Sequence, residues 1–420
     1  MRARSVFRGI LVTTGLLFAL LGRRAETTAE SAARDVAAPP QLARLGVDSW
    51  HRAGVRGAGV KVAVLDSGFR GYRDQLGRAL PTRIPARAFR FDGSLDAHHS
   101  NHGVACAQVI HAIAPDAELL FANWEPDHPE TFVEAVKWCR SQGAKVVSCS
   151  VVIPAWGDGE GGGAVHAELA RLVGAGRQPG DLLAVACAGN LAQRHWSGRF
   201  IDAGAGYHQW TLGRTDNMLT PWGEEPVSVE LCGPPTAAYS LELFDGGTRK
   251  RIAVSQDQQT ADRSTATLRF VPEAGRSYRL RARLTAGRPG PFHLVTLGSW
   301  LEHSTTPGSI AFPGDGPEWL TVGAVDADGR RAAYSGCGPN SPRPKPDLMA
   351  PVPFPTACRP APFTGTSAAA PQVAGLAALV WSAHSDWTAE KVRQLLCRSC
   401  RDLGPPGHDA ETGFGLVRLP

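Results

Sequence analysis

Short apolar runs rich in β-branched residues recur along the first half of the chain, each closed by a polar or glycine-containing turn. Val60-Lys-Val-Ala-Val-Leu65 ends in Asp66-Ser67-Gly68, and Leu119-Leu-Phe-Ala122, Val146-Val147 and Leu182 to Ala188 follow it. Between them, Thr131 to Ser141 and His166 to Val173 carry apolar residues at helical spacing. Continuous apolar strands alternating with helices predict a parallel α/β sheet with helices on both faces. The period then changes. Val227-Ser-Val-Glu-Leu231, Ser240-Leu-Glu-Leu-Phe244, Thr267-Leu-Arg-Phe-Val271 and Tyr278-Arg-Leu-Arg-Ala-Arg-Leu284 alternate with period two, with Asp245-Gly-Gly and Glu273-Ala-Gly as turns. They predict a small antiparallel β-sandwich. The α/β pattern returns at Trp319-Leu-Thr-Val-Gly-Ala-Val325, so the all-β piece, 196–307, reads as an insertion into an α/β domain formed by 40–195 and 308–420.

The N-terminus has its own pattern. Arg2, Arg4 and Arg8 precede an apolar run from Gly9 to Gly22. A basic start before a short apolar core reads as a secretory signal over 1–24, with 25–39 as a linker. The run is shorter than the roughly 20 residues a spanning helix needs. The expectation is therefore a secreted, periplasmic or otherwise extracytoplasmic protein without a stable membrane span. An uncleaved N-terminal membrane anchor is the second reading.

The net charge of +5 over 420 residues is small, and no dense Lys/Arg stripe supports a nucleic-acid partner. A monomer is expected. Export permits disulfides among the nine cysteines. Cys337 and Cys358 flank a Pro-rich loop and can pair, Cys397-x-x-Cys400 reads as a local disulfide or two free thiols, and Cys149 and Cys187 read as small buried residues.

Ligands of open α/β sheets bind at the carboxyl ends of strands. Asp66 and Asn190 both follow predicted strands directly. Ser367 lies in Gly365-Thr-Ser-Ala-Ala-Ala-Pro371, at the start of a run of small and apolar residues that predicts a buried helix with Pro371 in its first turn. Taken singly, each motif has a plain structural reading: Asp66-Ser67-Gly68 as a turn, Asn190 as a left-handed residue, Gly365-Thr-Ser as a helix cap. His98 and His99 compete with His102, and His111, His166 and His195 read as structural.

Together, Val62-Ala-Val-Leu-Asp-Ser-Gly68, His102-Gly103, Ala186-Cys-Ala-Gly-Asn190 and Gly365-Thr-Ser-Ala-Ala-Ala-Pro371 resemble, in this order, the subtilisin-like serine proteases, or subtilases. Ile310-Ala-Phe-Pro, Trp319 to Val325, Tyr334-Ser-Gly-Cys-Gly-Pro and Lys345-Pro-Asp-Leu-Met-Ala-Pro351 extend the resemblance, which leaves out the all-β piece. It implies a serine endopeptidase acting on protein or peptide substrates. Asp66, His102 and Ser367 would form the triad, and Asn190 would assist the oxyanion. Ser148, Cys149, Ser150, Val151, Ala188 and Gly189 would line the substrate, with the 148–151 strand pairing to its backbone.

Three features depart from the pattern. Ala105 stands where many relatives carry a second His. Val151-Val152-Ile153 replaces glycines and predicts a narrow pocket that favours small side chains before the scissile bond. The stretch between the signal and the α/β domain is too short for the relatives' folding propeptide. No cofactor is implied; calcium is common in subtilases, but no recognisable Asp/Asn ligand loop assigns it here. Two rivals remain: a sedolisin-type enzyme using Glu and Asp, against which His102 argues, and a protease-like binding protein with a vestigial site.

Overall fold

A computed structural model describes residues 39–96 and 100–420. The expected signal segment, residues 25–38 and His98 and His99 lie outside the described residues. No described helix is long and apolar enough to cross a membrane.

Two short helices, α1 (Pro40–Arg44) and α2 (Val47–Arg52), lead into the sheet. The α/β part then runs β1 (Lys61–Leu65), β2 (Ala86–Phe89), α3 (His102–Ile113), β3 (Glu118–Trp124), α4 (Pro129–Ser141), β4 (Val146–Cys149), α5 (Ala164–Val173) and β5 (Leu183–Cys187). Ten strands follow: β6 (His195–Arg199), β7 (Asn217–Pro221), β8 (Val227–Gly233), β9 (Ala237–Asp245), β10 (Arg251–Val254), β11 (Gln256–Gln259), β12 (Ser264–Phe270), β13 (Tyr278–Gly287), β14 (Pro291–Leu297) and β15 (Ser299–Leu301). The chain closes with β16 (Trp319–Val325), β17 (Leu348–Pro351), α6 (Thr366–Ala383), α7 (Ala389–Arg398), β18 (Cys400–Arg401) and β19 (Leu416–Val417).

Nine strands form one sheet in the order β18-β19-β17-β16-β5-β4-β1-β3-β2, parallel except for the β18–β19 pair at its edge. Burial explains the apolar runs. Val62 to Leu65, Val146 to Cys149 and Leu183 to Cys187 are buried along their whole length, because helices cover both faces. Since β5, β4 and β1 are parallel neighbours, Asn190, Ser150 and Asp66 emerge along one edge of the sheet. This is the edge where a ligand is expected.

Strands β6 to β15 make two antiparallel sheets, β10-β9-β13-β7-β15 and β11-β12-β8-β14-β6. Leu219, Tyr239, Leu241 and Leu280 of one sheet share a core with Val229, Leu231, Leu268 and Phe292 of the other, which makes a sandwich. It is bound to the α/β part by polar contacts. Glu230 accepts from Ala155 N at 2.9 Å, Arg269 donates to Asp127 at 2.7 Å, and His293 Nε2 lies 2.9 Å from Glu160.

The disulfide expectation is corrected: all nine cysteines are free. Six are buried as small side chains. The Cys337 thiol donates to Thr306 O at 3.3 Å, and that of Cys400 to Leu396 O at 3.3 Å, so neither is directed at the partner proposed for it.

His166 on α5 donates from Nε2 to Asp315 (3.1 Å) and from Nδ1 to Glu318 (2.7 Å). Burial alone lowers a histidine pKa, but these two carboxylates outweigh it and push His166 from 6.5 up to about 10. A raised folded-state pKa means the pairing stabilises fully below pH 6.5 and fades as pH climbs toward 10. The Tm difference between wild type and His166→Gln should therefore be largest near pH 6 and shrink steadily up to pH 10. A gap independent of pH would refute the charged pairing.

Candidate active site

Asp66 follows β1 directly, is fully buried, and accepts from Ser67 N at 2.8 Å on Oδ1. Its Oδ2 takes the Nδ1–H of His102 at 2.8 Å. His102 is the first residue of α3, so its position depends on how closely that helix approaches β1. Gly103 sets this distance. A Cβ there would lie 2.5 Å from the Phe69 ring and 2.8 Å from Asp66 Cβ. The Gly103 N–H also bonds Gly68 O at 3.0 Å, tying the helix start to the turn after β1. Behind the imidazole, Phe363 stands edge-on, with ring centroids 5.3 Å apart.

Ser367 is the second residue of α6, an almost entirely buried helix of small residues. Pro371 is sixth in the helix rather than in its first turn, and the consequence is specific. It has no N–H to offer the carbonyl four residues back, which is Ser367 O. That carbonyl is met instead by Ser150 Oγ at 3.3 Å and the Cys106 thiol at 3.6 Å. Burial, followed by the nearby Asp66 charge, raises the Cys106 pKa well above its usual value, so it remains a thiol able to donate. In return, Ser367 Oγ donates to Ser150 O at 3.0 Å.

Asn190 stands beside the start of α6. Its Oδ1 accepts from Thr366 N (2.9 Å) and Thr366 Oγ1 (3.0 Å), which fixes the amide and leaves its Nδ2 donors unspent on Thr366. Gly365, with φ +87°, leaves room there: a Cβ would meet Asn190 Nδ2 at 2.9 Å. The donors at the N-terminal end of α6 and the Asn190 amide thus border the same space.

The substrate-lining expectation narrows. Ser148 and Cys149 are paired to β1 on one edge and β5 on the other and are fully buried, so neither backbone edge is open to a ligand. The available edge begins at Ser150. Val151 and Ile153 line a cavity of about 170 Å³ with Ser67, Trp124 and, from the sandwich, Glu230 and Arg269. Val152 points at Gly189, where a Cβ would meet its Cγ1 at 3.1 Å. Ala188 is buried against β16, with its N–H on Val322 O at 2.9 Å. A larger cavity, about 390 Å³ near Gly176 and Arg343, holds none of these residues. The one group of three side chains with metal-ligand reach among the described residues is Asp66, His102 and Cys106. Its single carboxylate, already paired to His102, does not suit calcium.

The model described as "Subtilase family" matches residues 302–415. A thermostable alkaline protease of Halalkalibacterium halodurans is 37% identical over 192 residues, 46% of this chain and 52% of that protein. Subtilisin E of Bacillus subtilis is 34% identical over 118 residues, 26% of this chain and 28% of that protein. The chain thus spans about half the length of the first relative and less of the second. Among solved structures, the CspB protease of Clostridium perfringens aligns over 90% of this chain and 97% of its own, with a TM-score of 0.63 and 16% identity, a likeness of fold.

Residues 302–415, the segment that holds Ser367, thus match the subtilase family, and the fold of the described chain is that of a protease of this kind. Asp66, His102, Asn190 and Ser367 converge at the carboxyl edge of the sheet, whereas the reciprocal bonding of Ser150 with Ser367 and the part played by Cys106 were not anticipated from the sequence. Cys106 had a signal, since it stands four residues after His102 on one helix face. Arg194 was also missed: its Nε donates to Asn190 O at 2.9 Å.

Gly103→Ala would drive a methyl into Phe69 and Asp66. We expect a loss of about 1–3 kcal/mol in urea denaturation, as for other overpacked cores. An unchanged midpoint would show that α3 gives way freely.

Proposed function

We propose that this chain is an exported serine endopeptidase that hydrolyses peptide bonds. The observation that carries the reading is the 2.8 Å Asp66–His102 bond beside Ser367, at the start of α6. Export rests on the basic start and apolar run at 1–24.

Substrate lies extended along Ser150 to Ile153 and presents a backbone N–H to Ser150 O. That N–H competes with the Ser367 hydroxyl for the carbonyl, and the released hydroxyl turns to His102 Nε2. His102 can accept there because Asp66 holds the proton on Nδ1. As Ser367 Oγ attacks the peptide carbonyl, its proton passes to His102. The oxyanion takes hydrogen bonds from Ser367 N–H and Asn190 Nδ2, in a site where donors are already fixed and little reorganisation is needed. Collapse breaks the C–N bond, and His102 returns the proton to the departing amine. Water then repeats the sequence on the ester, freeing the acid and Ser367.

Ser367→Ala should abolish both fluorophosphonate labelling and casein hydrolysis at neutral pH. A folded wild-type protein that takes no label would defeat the proposal and favour a vestigial site.

Val152 Cγ1 stands so near Gly189 that a Cβ there would lie 3.1 Å from it, and this narrows the space for the side chain before the scissile bond. Peptide-library digestion should show cuts after Ala, Gly or Ser, and Val152→Gly should admit Leu and Phe with at least a tenfold gain in kcat/KM. Wild-type cuts mainly after large aromatics would contradict this pocket.

A further inference from the structure

The peptidase mechanism uses nothing from the sandwich, yet two of the sandwich's largest apolar side chains face the cleft. Trp222, just after β7, is 53% exposed, and Trp300 on β15 is 45% exposed. Neither belongs to the sandwich core. Their ring centroids are 5.3 Å apart with planes at 58°, and they are held by backbone pairing: Trp222 N bonds Gly298 O at 3.1 Å, and Trp300 pairs with Thr220. The pair forms one wall of an open cavity of about 350 Å³, whose other walls are Arg194, Asn190, Gly365 and Tyr334. The Arg194 guanidinium lies 4.6 Å from the centre of the Trp222 ring while also holding Asn190 O, so the aromatic wall and the oxyanion residue share one support.

The side of the cleft follows from what the cavity lacks. Substrate preceding the scissile bond runs along Ser150 to Ile153, and the pocket for its last side chain lies between Val152 and Gly189. None of these residues lines the 350 Å³ cavity. A peptide leaving that edge and crossing Ser367 next meets the Asn190, Gly365 and Tyr334 wall.

We propose that Trp222 and Trp300 form a specificity subsite, built by the β-sandwich, which receives a bulky apolar side chain of the substrate on the leaving-group side of the scissile bond. The inference rests on the peptidase reading. Two rigid, half-exposed indoles give large contact area at small entropic cost, and a side chain that covers them removes apolar surface from water on both partners. Continuity with Asn190 and Gly365 fixes the occupant as substrate rather than a separate protein. Combined with the pocket narrowed by Val152, the preferred substrate is a polypeptide with a small residue before the cut and a large apolar residue after it.

The test uses quenched fluorescent peptides with Ala before the cut and Phe, Leu, Gly or Asp at each of the first two positions after it. Fluorophosphonate labelling of the wild-type protein comes first; its failure would remove the peptidase reading, not this one alone. With a labelled enzyme, Phe or Leu should exceed Gly and Asp at least tenfold in kcat/KM at one of those positions. Trp300→Ala should reduce that ratio to below threefold. Trp222 also lies under Arg194, so its loss can reach Asn190; Trp300→Ala tests the wall alone. Equal cleavage of all four peptides at both positions, or a Trp300→Ala enzyme that keeps the full preference, would overturn the subsite.

Discussion

The packing of α3 against α6 governs the site. His102 begins one helix and Ser367 stands at the start of the other, so their separation is set by how closely two buried helices lie. Gly375 permits the contact: a Cβ there would fall 2.9 Å from Ile113 Cβ and Cγ2. Glycine within a helix costs about 1 kcal/mol relative to alanine. The cost is offset where it lets the helices and the sheet close without a void. Gly103 does the same at the other end of α3, against Phe69 and Asp66. The charge relationship of Asp66 with His102 is therefore a product of core packing, two steps removed from any chemistry.

Pro371 adds a constraint of a different kind. By withholding an N–H from Ser367 O, it creates a buried carbonyl that must find other donors. Ser150 and Cys106 supply them, and Ser150 thereby becomes locked to Ser367 in both directions. The residue that opens the substrate edge is thus the same residue that holds the resting hydroxyl. On the proposed peptidase reading, a substrate N–H arriving at Ser150 O would displace only the Ser367 hydroxyl from that carbonyl, while the Ser150 Oγ bond to Ser367 O holds the helix start in place.

The sequence made strands legible where burial was two-sided, because β1, β4 and β5 need unbroken apolar runs. It placed Asp66, Asn190 and Ser367 because each stands directly beyond such a run or at the head of one. It did not reveal β2, with its weak Ala-Arg-Ala-Phe pattern, or α7, whose charged face hides a narrow buried stripe of Val392, Arg393 and Leu396. Ser148 and Cys149 looked like substrate contacts because they precede Ser150, but pairing on both edges is a property of the whole sheet and has no local signature. The cysteines misled for a related reason: spacing says which thiols are near in sequence, whereas pairing depends on the direction of each Sγ, and those of Cys337 and Cys400 are spent on backbone carbonyls.

The position of the sandwich is less accidental than its absent motifs suggest. The chain leaves the sheet at the end of β5, passes Asn190, and enters β6 at His195. Anything inserted there starts at the carboxyl edge of the sheet, which is where ligands bind. It must also return so that β16 can pair beside β5, which holds both of its ends to the same part of the molecule. Arg269 and Glu230 then reach the cavity beside Val151, while Trp222 and Trp300 reach the one beside Asn190. A segment tethered in this way borders both the cavity beside Val151 and the one beside Asn190, so on the proposed peptidase reading changes on its surface would act on substrate choice without touching a proton-transfer group.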